Sequence, residues 1–162
     1  VGFNHLSSTL PTMELILMLN QVSSVFDELC DKHRCYKVES SGDVYMAVAG
    51  HDGKALDHAG AVISLALDLV EEVTRIEYPR DPSRHMEVRI GIQTGQAFSG
   101  VVGRKMLRYC FFGTTVNSAR ALDNAAPAMC VLIGSETRRL LGGRWAVEEL
   151  PNEEDEENGE GG

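Results

Sequence analysis

Cysteine pairs are missing from this chain: its four cysteines (Cys30, Cys35, Cys110, Cys130) show no C-x-x-C spacing and no matching histidine pair. That excludes a zinc cluster and a disulfide framework, and makes the cytosol the expected compartment. Long apolar runs are missing too. No stretch approaches the roughly 20 residues a membrane helix needs, and no signal-peptide pattern opens the sequence. The chain starts at Val1-Gly2-Phe3 without an initiator methionine and so reads as a piece of a longer protein, membrane attachment being left to parts outside it. A basic excess is also absent. The net charge is −9, but six of the 24 acids lie in 152–162, leaving 18 acids against 15 bases in the body, a net of −3. A nearly balanced body argues against a nucleic-acid surface, and the acidic run over 151–162 reads as a solvated tail or insertion.

What is present fits one soluble domain over 1–150. Thr9-Leu10-Pro11-Thr12 opens a helix with a hydroxyl cap and a proline in its first turn. Leu15, Leu19, Val22, Phe26 and Leu29 continue it at helical spacing toward His33. Runs over 36–39 and 44–49 read as a hairpin across a Ser40-Ser41-Gly42 turn. A second helix is expected over 57–75, striped by Val62, Ala66, Leu69 and Val73 and ended by Tyr78-Pro79. Strands follow over 86–94 and 96–102, the second returning along the first, then an extended run over 106–112. A helix over 116–124, a strand over 129–133, a helix capped by Ser135 and a last strand over 145–150 complete the pattern. With a strand ending at Phe3, the order is β-α-β-β-α-β plus additional elements, an α+β ferredoxin-like arrangement.

Singly, the polar residues are ambiguous. Asp43, after a glycine turn, reads either as a turn cap or as a ligand for Mg²⁺ or Mn²⁺, hard cations that take carboxylate oxygen. Glu39 reads as an exposed strand charge, and Cys110 as a small core residue on a short aromatic strand. Gly91, Gly95, Gly100 and Gly103 fit no phosphate-loop pattern and suit turns and bulges. His51 and His58 read as surface histidines.

Together, the runs change the reading. Val1-Gly2-Phe3-Asn4, Tyr36-Lys37-Val38-Glu39, Gly42-Asp43, Arg89-Ile90-Gly91-Ile92 and Thr94-Gly95 stand in one order with Gly100-Val101-Val102-Gly103, Arg108-Tyr109-Cys110-Phe111-Phe112-Gly113 and Thr115-Val116-Asn117. In that order they resemble the catalytic domain of class III nucleotidyl cyclases, specifically a eukaryotic guanylyl cyclase, over about 1–141.

The resemblance implies a head-to-tail dimer, homodimeric or heterodimeric, that converts GTP to cyclic GMP and pyrophosphate in clefts between chains. Two Mg²⁺ or Mn²⁺ ions would be held by two aspartates. One matches Asp43; the other lies, in this family, two residues before the Val-Gly-Phe and so outside this chain. Backbone N–H groups around Gly2, Phe3 and Asn4 would cradle the β- and γ-phosphates, and Asn117 would orient the ribose. Glu39 and Cys110 occupy the base-reading positions, where related adenylyl cyclases carry Lys and Asp. Guanine offers N1–H and N2–H₂ as adjacent donors, which a carboxylate can accept together, whereas adenine turns a lone pair toward it. A thiol at 110 would offer a weak donor to O6.

Two departures matter. The family arginine expected four residues after the asparagine is Ala121 here, and Arg120 stands one position earlier. Arg120 is the candidate for the α-phosphate because i+3 and i+4 lie on neighbouring parts of one helix face. The family's late lysine- and glycine-rich hairpin is not found either. The alternative reading is a non-catalytic cyclase-homology subunit that serves as a regulatory or dimerisation partner.

Overall fold

Leu15, Leu19 and Val22 do recur along one helical face, and that face packs on a cluster of Leu6, Met18, Val73, Ile76 and Met86. The computed structural model describes residues 3–81 and 83–150, and side-chain surroundings for all of these except 4, 5 and 41. The helix carrying that stripe is α2 (Thr12–Lys32). Pro11 stands at its N-cap without a side-chain cap; a residue with no N–H leaves one fewer donor to satisfy there.

Phe3 is not the end of a strand. It opens a short helix, α1 (Phe3–Thr9), because Leu6 and Leu10, four apart, reach the Met18 and Val73 cluster only from a helix. Val1, Gly2 and the expected tail lie outside the described residues.

The hairpin is β1 (Tyr36–Ser41) with β2 (Val44–Val48), antiparallel. Its first strand runs further than expected: Ser40 and Ser41 are paired, and the turn is Gly42-Asp43, with Gly42 at φ +59°. The register slips between Lys37 and Glu39, a bulge around Val38. Helix α3 (His58–Val73) lies behind the hairpin. Asp57 caps it by accepting from the Gly60 N–H at 3.1 Å and also receives the Arg144 guanidinium at 2.9 Å, which holds its carboxyl down at about 2. Leu65 and Leu69 of α3 are buried with Leu29, Cys30 and Cys35 against Tyr45 and Ala47 of β2. Each such apolar side chain contributes about 1.5–3 kcal/mol.

Of the expected strand over 86–94 only β3 (Ile90–Ile92) forms, and it pairs in parallel with β6 (Val131–Ile133). The run over 96–102 does not return along it. Instead β4 (Phe98–Val102) pairs antiparallel with β5 (Arg108–Phe112), which places Gly100 opposite Cys110. Gly103, at φ +110°, turns the chain between them, and a Cβ there would meet the Met106 carbonyl oxygen at 2.2 Å. Among the described residues the strands thus form three two-stranded sheets.

Helix α4 (Thr114–Ala125) lies directly on β3, where a Cβ on Gly91 would be 2.1 Å from the Asp123 nitrogen. Helix α5 (Ser135–Leu141) begins at Ser135 itself, with Gly134 as N-cap and no side-chain cap. Residues 145–150 form no strand. Their attachment is by Trp145 on the Leu141 cluster and an Arg138–Glu149 ion pair, not by a hydrogen-bond ladder. The molecule is α+β.

Candidate functional site

The bulge at Val38 lies in the part of β1 that borders a cavity. In a regular strand neighbours alternate between faces, yet Tyr36, Val38, Glu39 and Ser40 all border one cavity of about 750 Å³. A bulge re-aims side chains in this manner. The opposite wall is β5, contributing Arg108, Cys110 and Phe112 as well as Tyr109 and Phe111, and the first turns of α4 close it with Asn117 and Arg120. Arg108 belongs to a motif run that gives it no role of its own. Its place, two residues from Cys110 on one strand, puts both on one face.

Glu39 is half-buried, and the guanidinium Nη2 of Arg120 stands 3.6 Å from its Oε2. Arg120 therefore lies on the carboxylate side of the cavity, a placement that helical spacing alone does not reveal. Cys110 directs its thiol at the Arg108 carbonyl oxygen of its own strand, 3.7 Å away. Asn117 is exposed and its backbone N–H donates to Gly113, the residue at φ +130° from which α4 starts.

The wall behind Cys110 is braced by rings. Tyr36 and Tyr109 meet edge to face at 5.9 Å and Tyr109 meets Phe111 at 5.1 Å, while the Tyr109 hydroxyl donates to Ser99 at 2.8 Å. His51 is exposed, and its ring lies 4.9 Å from Tyr36 and 5.9 Å from Phe111, tying the loop after β2 to the β5 wall. Below β1, Lys37 donates to Asp27 of α2 at 2.9 Å, and Asp27 also accepts from the Tyr45 hydroxyl at 2.7 Å. Burial raises the Tyr45 hydroxyl far above its usual range, so it stays a donor.

Asp43 does not meet Glu39 around this cavity. It sits exposed in the hairpin turn and is absent from the cavity wall. Its charge is felt instead by Asp123 of α4, whose carboxyl burial pushes up, Arg89 pulls back and Asp43 raises further. An exposed carboxylate on a turn is a fitting ligand for Mg²⁺ or Mn²⁺, with other positions left to phosphate oxygens. Among the described residues no group of three or more His, Cys, Asp or Glu could hold a metal ion, so Asp43 would be one ligand of several. Of the expected phosphate cradle, Gly2 and the Asn4 side chain lie outside what is described, and Phe3 belongs to α1.

Comparison with known proteins places these features in context. Residues 1–158 match the family described as the adenylate and guanylate cyclase catalytic domain. Guanylate cyclase 32E of Drosophila melanogaster is 39% identical over 144 residues, covering 87% of this chain and 12% of that protein. Atrial natriuretic peptide receptor 2 of Homo sapiens is 37% identical over 142 residues, covering 87% of this chain and 14% of that protein. The chain thus spans about an eighth of the length of these curated relatives. Among solved structures, the catalytic core of a rhodopsin-guanylyl cyclase with converted specificity, in complex with ATPαS, superposes with a TM-score of 0.88. It is 26% identical, over 93% of this chain and 81% of that one. The guanylate cyclase domain of RhGC from Catenaria anguillulae, in complex with GTP, gives 0.84 at 27% identity, over 90% of this chain and 79% of that one.

Proposed function

Because the chain belongs to the adenylate and guanylate cyclase catalytic-domain family, we propose that residues 1–150 form a guanylyl cyclase domain that cyclises GTP in clefts shared by two copies. The observation that carries this is that Glu39 borders a cavity together with Cys110 and Asn117. Glu39 accepts hydrogen bonds from N1–H and N2–H₂ of guanine. Asn117 hydrogen-bonds the ribose and holds its 3′-oxygen in line with the α-phosphorus. The new bond joins the 3′-oxygen to phosphorus, the bond to the bridging oxygen breaks, and pyrophosphate leaves. Divalent cations, two per site and held in part by Asp43, supply charge neutralisation and a more acidic 3′-hydroxyl when bound.

The dimer has its own support. Asp43 stands apart from the cavity, so a second copy is the natural source of the metal carboxylate for each one. The β4–β5 hairpin also exposes Phe98 (80%), Val101 (64%), Met106 (75%) and Leu107 (70%) together, an apolar surface of the kind that marks an interface. GTP as substrate places the domain in the cytosol. No described helix is long and apolar enough to cross a membrane.

The second reading, a partner subunit that binds without turning over, draws on Ala121 and on Arg120 standing on the Glu39 side of the cavity. Binding itself is tested with inosine triphosphate, which differs from GTP only by the missing N2 amine. Competition against a fluorescent GTP analogue is expected to show ITP bound about tenfold more weakly, the value of one hydrogen bond to a charged acceptor. The Glu39→Ala variant should bind the two alike. Equal affinities in the unaltered protein would remove Glu39 from guanine recognition.

A further inference from the structure

We propose that Arg120 is a second guanine-reading residue, which donates to O6 beside the two groups that Glu39 accepts. The inference rests on the reading of Glu39 as the guanine carboxylate. Guanine's Watson–Crick edge runs acceptor, donor, donor, through O6, N1–H and N2–H₂. Its complement is a donor followed by two acceptors. Glu39 supplies the acceptors, and Arg120 sets a donor on the same wall, Nη2 to Oε2 at 3.6 Å. That spacing exceeds a hydrogen bond, so neither group is consumed by the other and both keep capacity for a base.

Two other donors lie on the β5 wall, Arg108 and, on the same face, the Cys110 thiol, which is weaker and already committed. A thiol has a single weak donor, and that of Cys110 is aimed at the Arg108 carbonyl oxygen at 3.7 Å. A guanidinium has five donors in a planar fork, fitted to an oxygen acceptor in a base plane. The helix accounts for the placement. Moving the arginine from position 121 to 120 turns it by about 100° around α4, away from the direction in which a residue at 121 points. Adenine would then meet two repulsions at once. Its N6 amine would face the guanidinium donor to donor, and its N1 lone pair would face the carboxylate.

The test replaces one acceptor atom. In 6-thio-GTP a sulfur stands in for O6 and accepts poorly, while N1–H and the N2 amine remain. Competition binding with Mn²⁺ present is expected to rank it about tenfold below GTP in the unaltered protein, the worth of one charge-assisted hydrogen bond. In the Arg120→Ala variant that gap should close, while the gap between GTP and ITP persists. A variant that weakens GTP, 6-thio-GTP and ITP by one common factor would assign Arg120 to the phosphates and overturn the proposal. So would a variant that keeps the 6-thio-GTP gap intact. Loss of the ITP gap in the unaltered protein is a separate result that removes Glu39 and, with it, this inference.

Discussion

The double variant Glu39→Lys with Cys110→Asp is expected to turn over ATP in preference to GTP, with the ratio of kcat/KM values shifted by about three orders of magnitude or more. The magnitude follows from leaving buried polar groups unpaired against the wrong base, which discriminates far more strongly than a change of shape. The introduced ammonium would donate to the N1 lone pair of adenine, and the introduced carboxylate would accept from its N6 amine. Both positions border the same cavity, one on each strand wall, so the exchange reverses both ends of the recognition edge at once. Arg120 limits how complete the reversal is. An ammonium replacing the Glu39 carboxylate would stand beside a guanidinium now 3.6 Å from that carboxylate, and the two cations repel. Adding Arg120→Ser is therefore expected to raise ATP turnover further. Steady-state rates of cyclic nucleotide formation at varied GTP and ATP measure this directly; GTP preference surviving the exchange would contradict the pocket as described.

Asp43→Asn is expected to lower turnover by about 10³-fold or more, because an amide is a poor ligand for a hard divalent cation and carries no charge to offset the triphosphate. GTP affinity without metal stays near its original value, since Asp43 lies outside the base cavity. The more telling result comes from mixing. A chain with Asp43→Asn keeps its base cavity, and a chain with Glu39→Lys keeps its metal carboxylate. If each cleft takes its carboxylate from one copy and its base pocket from the other, the mixed dimer has one complete site. Random pairing then restores about a quarter of the original activity. If both parts served one cleft within a chain, mixing two inactive variants would restore nothing.

Helices α2 and α3 and the β1–β2 hairpin were legible because their physics is local. The Leu15, Leu19, Val22 stripe and the Val62, Ala66, Leu69, Val73 stripe each announce themselves within a few residues, and α2 and α3 form where they do. Pairing partners were not legible. The run over 96–102 does form a strand, but the tight turn at Gly103 decides that β4 folds onto β5 and leaves β3 for β6. Phe3 misled because a short apolar run suits strand and helix alike, and only the distant Met18 and Val73 side chains select the helix.

The site divides in the same way. Glu39, Cys110 and Asn117 come from motif runs, and they border one cavity. The bulge at Val38 beside Glu39 carries no glycine or proline to betray it. The approach of Arg120 to Glu39 depends on how β1 and α4 meet across 81 residues of chain, beyond the range of any local pattern.

The most direct measurement supplies the purified protein, confirmed as a dimer, with equal amounts of GTP and ATP and with Mn²⁺, and identifies the products by mass spectrometry. Cyclic GMP and pyrophosphate should accumulate together, with cyclic AMP a minor species. Cyclic AMP in equal or greater amount would contradict guanine reading by Glu39, and an absence of any cyclic product from a GTP-binding dimer would contradict catalysis itself.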